Sequence, residues 1–253
     1  MSTFSLADHL IAAVAAAGAG AVNAIAGGGT LISFPTLVAL GASKVGANVT
    51  NTVALCPGYF GGAVAQRSQL PGQRSRLIRL SIAAGLGGLT GSVLLLATGE
   101  AAFTKLVPWL ILMACALLGG QNYIRKWLRI GNRTHGAPSA VAVASTFFVS
   151  IYGGYFGAGL GIALLAVLGL VIDETLPRLN ALKQVLALVI NLVAASFFAT
   201  SGEVIWSLVL VMAPASLLGG VAGGKLVNKI KPSVLRAAVV TYGTVLALYY
   251  LLR

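Results

Sequence analysis

Carboxylates are nearly missing from this sequence. Asp8, Glu100, Asp173, Glu174 and Glu203 are its 5 acids in 253 residues. All of them fall at the ends of apolar runs or between runs, and none lies in the middle of one. Proton relays and cation sites inside membranes usually need an acid at such a place. Their lack weakens a cation-pump reading, although backbone carbonyls could still bind Na⁺. Charge as a whole is also scarce, at 9% of residues against about a quarter in soluble domains. So little charge cannot cover the surface of a soluble protein of this length. Cysteine is limited to Cys56 and Cys115, both inside apolar runs; they read as single buried thiols and carry no information about a redox compartment. No H-E-x-x-H, no phosphate-binding P-loop and no Ser/His/Asp set occurs within the apolar runs, which leaves an enzyme reading with little support and implies no cofactor or metal. Gly157-x-Gly159-x-Gly161 follows no strand and lacks a dinucleotide-fold context. The opening MSTFSLADHL has no basic stretch before its apolar segment, so no cleavable signal peptide is expected.

What is present is apolar: 58% of the residues are hydrophobic and the mean hydropathy is +0.93. Lipid tolerates such an outer face and water does not. The 17 Lys and Arg give a formal charge of +12. They sit in short gaps between apolar runs, where positive-inside bias explains them better than a nucleic-acid patch does. The expectation is an all-α integral membrane protein, multi-pass in the inner membrane, in contact with lipid and not with nucleic acid. A homodimer is allowed.

Apolar runs fall at about 10–26, 29–42, 46–66, 77–98, 102–124, 139–156, 161–172, 178–200, 204–227 and 233–252. A crossing needs about 20 residues. The runs 29–42 and 161–172 are too short, and each follows a glycine cluster: Gly27-Gly28-Gly29, and Gly157, Gly159 and Gly161. The stretch 10–42 as one straight helix would be about 50 Å long, too long for a core of about 30 Å. The glycines are therefore expected to break it into a re-entrant hairpin, and the same holds for 139–172. Basic clusters at Arg67, Arg74, Arg76 and Arg79, at Arg125, Lys126, Arg129 and Arg133, and at Lys225, Lys229, Lys231 and Arg236 are placed in the cytoplasm. The gaps near Glu100 and Glu203 go outside, and so do both termini if each broken segment returns to its own side.

The chain also matches itself. One ungapped shift lays Gly87-Gly88-x-x-Gly91 on Gly219-Gly220-x-x-Gly223, Ala26-Gly27-x-Gly29 on Ala158-Gly159-x-Gly161, and Asn48 on Asn180. The segment breaks coincide at the same shift. Under the charge assignment the two halves, 1–130 and 131–253, point in opposite directions. Inverted repeats with interrupted helices are the architecture of many secondary transporters, with the substrate site near the midplane.

Helix N-termini at the breaks offer N–H groups and positive dipole ends to an anion. Gly28, Gly29 and Thr30 open one half-helix; Gly159, Leu160 and Gly161 open the other. For Gly87, Gly91, Gly219 and Gly223, close helix packing is the favoured reading. For Gly27–Gly29 and Gly157–Gly161 a site is favoured, because consecutive glycines break helices. Asn48, Thr50 and Asn51 follow the first break. Asn180, Lys183, Gln184 and Asn191 follow the second. Each polar group must face protein or a cavity; for Asn48 and Asn180 interhelical hydrogen bonding competes evenly with a site role. Asn23 and Tyr155 occupy equivalent places before the breaks. Lys183, roughly 9 Å past Pro177 by helical rise, is expected to snorkel to the interface rather than stay buried. Buried, it would be a fixed positive charge for an anion. His9 and His135 read as ordinary interfacial residues.

The stretches 18–55 and 153–191 resemble the paired signature regions of the TauE/SafE family of membrane permeases. Each has a glycine-rich break, an apolar run to a loop, and then Ala47-Asn48-Val49-Thr50-Asn51 or Asn180-Ala181-Leu182-Lys183. The resemblance covers nearly the whole chain. It implies a permease for a small sulfur-containing anion such as sulfite or a sulfonate, acting as an exporter, and points to Gly27–Gly29, Asn48, Thr50 and Asn51 with Gly157, Gly159, Gly161, Asn180 and Lys183. The second break is less regular than the first, which puts an equal role for the two in question. Competing readings are a Na⁺- or H⁺-coupled carrier of a neutral or cationic solute, a non-transport membrane assembly protein, and a passive channel.

Overall fold

A computed structural model describes residues 4–25, 27–128, 140–226 and 232–252. It is helical throughout, with no strand among the described residues. The elements are α1 (Leu6–Ile25), α2 (Thr30–Ala39), α3 (Lys44–Ala65), α4 (Arg74–Leu128), α5 (Ala140–Tyr155), α6 (Leu160–Val171), α7 (Leu176–Phe198), α8 (Trp206–Leu226) and α9 (Pro232–Leu251), with a short 3-10 turn at Arg67–Gln69. Helix bounds lie within a few residues of the apolar runs. Of the residues singled out above, Ala26, Arg129, Arg133, His135, Lys229 and Lys231 lie outside the described set.

Four helical stretches among the described residues are long and apolar enough to cross a bilayer: Leu6–Ala24, Arg74–Gly120, Leu176–Phe198 and Trp206–Gly223. Arg74–Gly120 has 47 residues, about 70 Å if straight. It does not run straight. Gly99, at φ 68° and ψ −177°, turns the chain and divides α4 into two limbs, 74–98 and 100–128. Beyond this turn the Glu100 carboxylate accepts hydrogen bonds from the Lys44 and Val45 N–H groups at 2.7 and 2.8 Å. It satisfies two orphan donors at the start of α3 and sits at the positive end of that helix. Ser43 Oγ accepts from Gly46 N–H at 3.0 Å and completes the cap.

The helices pack in reciprocal pairs. α1 lies most extensively on α8, and α4 on α5; α3 lies on α8, and α4 on α7. At the shift that matches the chain to itself, α1 corresponds to α5, α3 to α7, and the first limb of α4 to α8. The early helix α1 therefore packs on the late α8, and the later α5 on the earlier α4. Glycines make these crossings close. A Cβ on Gly219 would stand 2.0 Å from the Ala17 carbonyl oxygen, and one on Gly223 2.6 Å from Ala21 Cα. On the reciprocal face, a Cβ on Gly87 would stand 2.3 Å from the Phe147 carbonyl oxygen and one on Gly91 2.0 Å from that of Ile151. The packing role expected of these four glycines is the one the structure gives them.

At the Arg-rich end, Glu174 joins the two halves. It pairs with Arg76 Nη1 at 3.0 Å and Arg178 Nε at 2.8 Å, and Arg178 Nη2 also donates to the Pro71 carbonyl at 3.1 Å. Burial pushes the Glu174 carboxyl up, but the hydrogen bonds and charges of Arg76 and Arg178 outweigh it and hold the group below the usual glutamate value of 4.5. The folded protein thus keeps this carboxylate ionised to lower pH than the unfolded chain does. Its stabilising contribution is full above the ordinary value and is lost as pH falls through the lowered folded value. The thermal stability gap between the wild type and Glu174→Gln in detergent is expected at pH 7 and should close under acid below about pH 4.5. A gap unchanged in acid would reject the assignment.

Candidate functional site

The two glycine breaks meet. α1 ends at Ile25, Gly27 takes φ 82°, and Gly29 opens α2. In the other half α5 ends at Tyr155, Gly157 and Gly159 take φ 75° and 72°, and Gly159 opens α6. Only glycine enters this left-handed region without cost. A Cβ on Gly27 would lie 3.6 Å from Gly161 Cα, and one on Gly161 3.5 Å from Gly27 Cα. The N-termini of α2 and α6 thus come together, and two positive dipole ends share one place.

Lys183 lies against this contact. Its Cδ and Cε stand 3.7 and 3.8 Å from where a Gly161 side chain would begin, and the residue is 6% exposed. The expectation that it snorkels is overturned: the missing side chain at Gly161 makes room for its stem inside. Among the described residues Lys183 is the one charged member of the buried set. Such burial costs several kcal/mol unless something compensates it.

Around the contact runs a set of uncharged polar groups. Asn23 Oδ1 accepts from the Gly29 N–H at 2.8 Å and caps α2. Asn51 Oδ1 accepts from Ser33 Oγ, and Asn51 Nδ2 reaches Thr30 Oγ1 at 3.5 Å. The Tyr59 hydroxyl faces Asn23, Thr30 and Asn191, while Asn191 Nδ2 donates to the Ala187 carbonyl at 2.8 Å. Gln184 is buried and its Nε2 lies 2.6 Å from where a Gly62 side chain would start, so α7 meets α3 there. Asn48 Nδ2 donates to the Tyr155 carbonyl at 2.9 Å. Its Oδ1 is buried with no hydrogen-bond partner among the described residues, an uncommon and costly state.

Most of the expected residues are therefore gathered at the breaks: Asn23, Gly27, Gly28, Gly29, Thr30, Asn51, Gly159, Gly161, Lys183, Gln184 and Asn191. Gly28 packs against Leu118, whose Cδ2 would be 2.9 Å from a Cβ there. Asn48 and Tyr155 form a second polar point, and Gly157 turns the chain just after Tyr155. The Tyr155 hydroxyl pairs with Thr98 Oγ1 at 3.1 Å. A T-shaped aromatic group covers this side, with Phe34 5.3 Å from Phe156 and Phe103 5.7 Å from Tyr155. Thr50 and Asn180 are turned elsewhere. Thr50 Oγ1 accepts from the Ile205 N–H at 2.9 Å, ahead of α8. Asn180 Nδ2 donates to Gln66 Oε1 at 2.6 Å, at the end of α3. Both hold helix ends.

Ser33 and Tyr59 join the cluster without having been singled out in the sequence. The signal was there. Asn48, Asn51, Leu55, Tyr59 and Gly62 recur at helical spacing along one face of α3, and Ser33 stands one turn beyond Thr30. At the self-matching shift Asn51 corresponds to Lys183 and Tyr59 to Asn191, so equivalent positions supply a neutral amide in one half and a cation in the other.

Comparison with known proteins agrees with this membrane architecture. A probable membrane transporter protein of Haemophilus influenzae is 28% identical over 226 residues, covering 87% of this chain and 85% of the relative. The probable membrane transporter protein YfcA of Escherichia coli K12 is 25% identical over 235 residues, covering 90% and 84%. No solved structure matches the chain. The family model described as "Sulfite exporter TauE/SafE" matches residues 11–250, and this chain belongs to that family of membrane transporters.

Proposed function

We propose that this protein is a secondary transporter that exports a small sulfur-containing or organic anion across the inner membrane. The observation that carries the reading is the meeting of three positive groups: the N-termini of α2 and α6, and the buried Lys183 beside Gly161. An anion between them would be held by all three. Gly27–Gly29, Thr30, Asn51, Gly159 and Gly161 would bring backbone and side-chain dipoles to it, with Asn23, Tyr59, Gln184 and Asn191 around. The family's description names sulfite, and a sulfonate would present a similar oxyanion to the same groups.

The halves 1–130 and 131–253 are taken as inverted repeats, which the reciprocal packing of α1 on α8 and α5 on α4 supports. The broken segments are taken as re-entrant. Ala140, at the start of α5, lies near Arg79, and Glu174, just past α6, pairs with Arg76; both ends of α5–α6 are thus on one side. Alternating access then arises from rocking of the halves about the glycine contact. Purified protein in liposomes is expected to exchange labelled sulfite or a small sulfonate across the membrane. Folded protein that moves no small anion would reject the proposal.

The orphan Asn48 Oδ1 favours a second reading, in which Na⁺ or a proton-bearing solute is a ligand. That reading expects flux to rise with Na⁺ and to be indifferent to Lys183.

A further inference from the structure

Near its Arg-rich end the molecule carries an apolar groove. α4 and α5 touch backbone to backbone at Gly87 and Gly91, and towards Arg79 a gap opens between them. The gap is a groove of about 610 Å³, within the range of small-molecule sites. Ile82 and Leu86 on α4 and Ala140, Ala144 and Phe148 on α5 form its walls, and Arg79 stands at one end. From Arg79 to Leu86 the helical rise is about 10 Å. That is the depth from a headgroup towards the upper part of a fatty chain in a core of about 30 Å. Ile82, Leu86 and Phe148 are each more than half exposed, so the groove opens sideways to the bilayer and not to the transport site.

We infer that this groove is a binding site for an anionic phospholipid, with one acyl chain along α4 and α5 and the headgroup phosphate on Arg79. The apolar walls suit a hydrocarbon chain and offer little to a polar ligand. Arg79 supplies the charge complement and can bind phosphate through two N–H donors. Arg76, by contrast, is engaged with Glu174. The first half offers an internal contrast: Leu10, Ile11, Val14, Ala15 and Thr36 line a groove of about 380 Å³ with no charged side chain. Size alone would allow lipid in both, but only the α4–α5 groove can select for headgroup charge.

The full chain, purified and re-equilibrated with equal amounts of phosphatidylglycerol and phosphatidylcholine, is to be analysed by native mass spectrometry and by quantifying the lipid retained. The wild type is expected to favour phosphatidylglycerol about fivefold, the effect of one basic residue near a membrane surface. Arg79→Gln should abolish the preference. Ala144→Phe should fill the groove and release the bound lipid. Both residues are exposed, so neither change reaches the interior. Equal retention of the two lipids by the wild type would overturn the inference, as would a preference that survives Arg79→Gln. A shift in oligomeric state with Ala144→Phe and unchanged lipid would also overturn it and mark the groove as a contact between copies of the chain.

Discussion

Lys183→Met is expected to abolish anion transport while making the empty protein more resistant to heat. The two effects have one cause. Taking an ammonium out of water costs several kcal/mol even where the protein gives it partners, and an apolar chain of similar volume removes that cost. The bound anion loses a charged partner worth roughly 3 kcal/mol in such surroundings, about a hundredfold in affinity. Flux of labelled sulfite or sulfonate into liposomes should fall by about that factor, and the unfolding temperature in detergent should rise. Wild-type flux in the methionine variant would refute a role for Lys183 in binding. The rise in stability separates a lost ligand group from a misfolded protein, which would lose both properties together.

Gly154→Ala and Gly219→Ala should be among the most damaging single methyl groups that can be added to the described residues. A Cβ at Gly154 would stand 2.0 Å from the Gly88 carbonyl oxygen, and one at Gly219 2.0 Å from that of Ala17. Both obstacles are helix backbone, which cannot turn aside as a side chain can. Overpacking of this kind costs about 1–3 kcal/mol or more, a large part of a net stability of about 5–15 kcal/mol. Gly18→Ala is the control. It lies on the same helix as Ala17, but a Cβ there meets nothing within 4 Å, so it should be neutral or mildly stabilising. Heating in detergent followed by size-exclusion chromatography reads all three. Equal loss of monodisperse protein in all three would contradict the packing account.

The helix boundaries were legible because bilayer thickness and hydropathy act on every residue of a run. That α1 ends and α2 begins on either side of Gly27 fits the same reasoning, since a stretch too long for the membrane must turn somewhere. The packing of Gly87, Gly91, Gly219 and Gly223 followed from spacing alone. The surroundings of Lys183 did not. Whether its stem rises to the interface or folds inward depends on space left by Gly161, which lies on another helix. The hydrogen bonds of Thr50 and Asn180 were hidden for a related reason. Their partners, the Ile205 N–H and Gln66, are distant in the chain, and a polar residue beside a motif can as readily tie a helix end as face a ligand. Tyr59 and Ser33 escaped attention because each stands alone among apolar neighbours, where helical spacing from Asn51 and Thr30 was the available signal.

The packing of α1 on α8 has a consequence for biosynthesis. α1 is made long before its main partner, α8, which begins only at Trp206. Until that segment leaves the ribosome, the alanine and glycine face of α1 has only lipid or a chaperone to rest against. Assembly must therefore finish late, in a step that brings the ends of the chain together. A protein stopped before residue 206 would be inserted but unfinished, with an exposed small-residue surface for quality-control proteases to find.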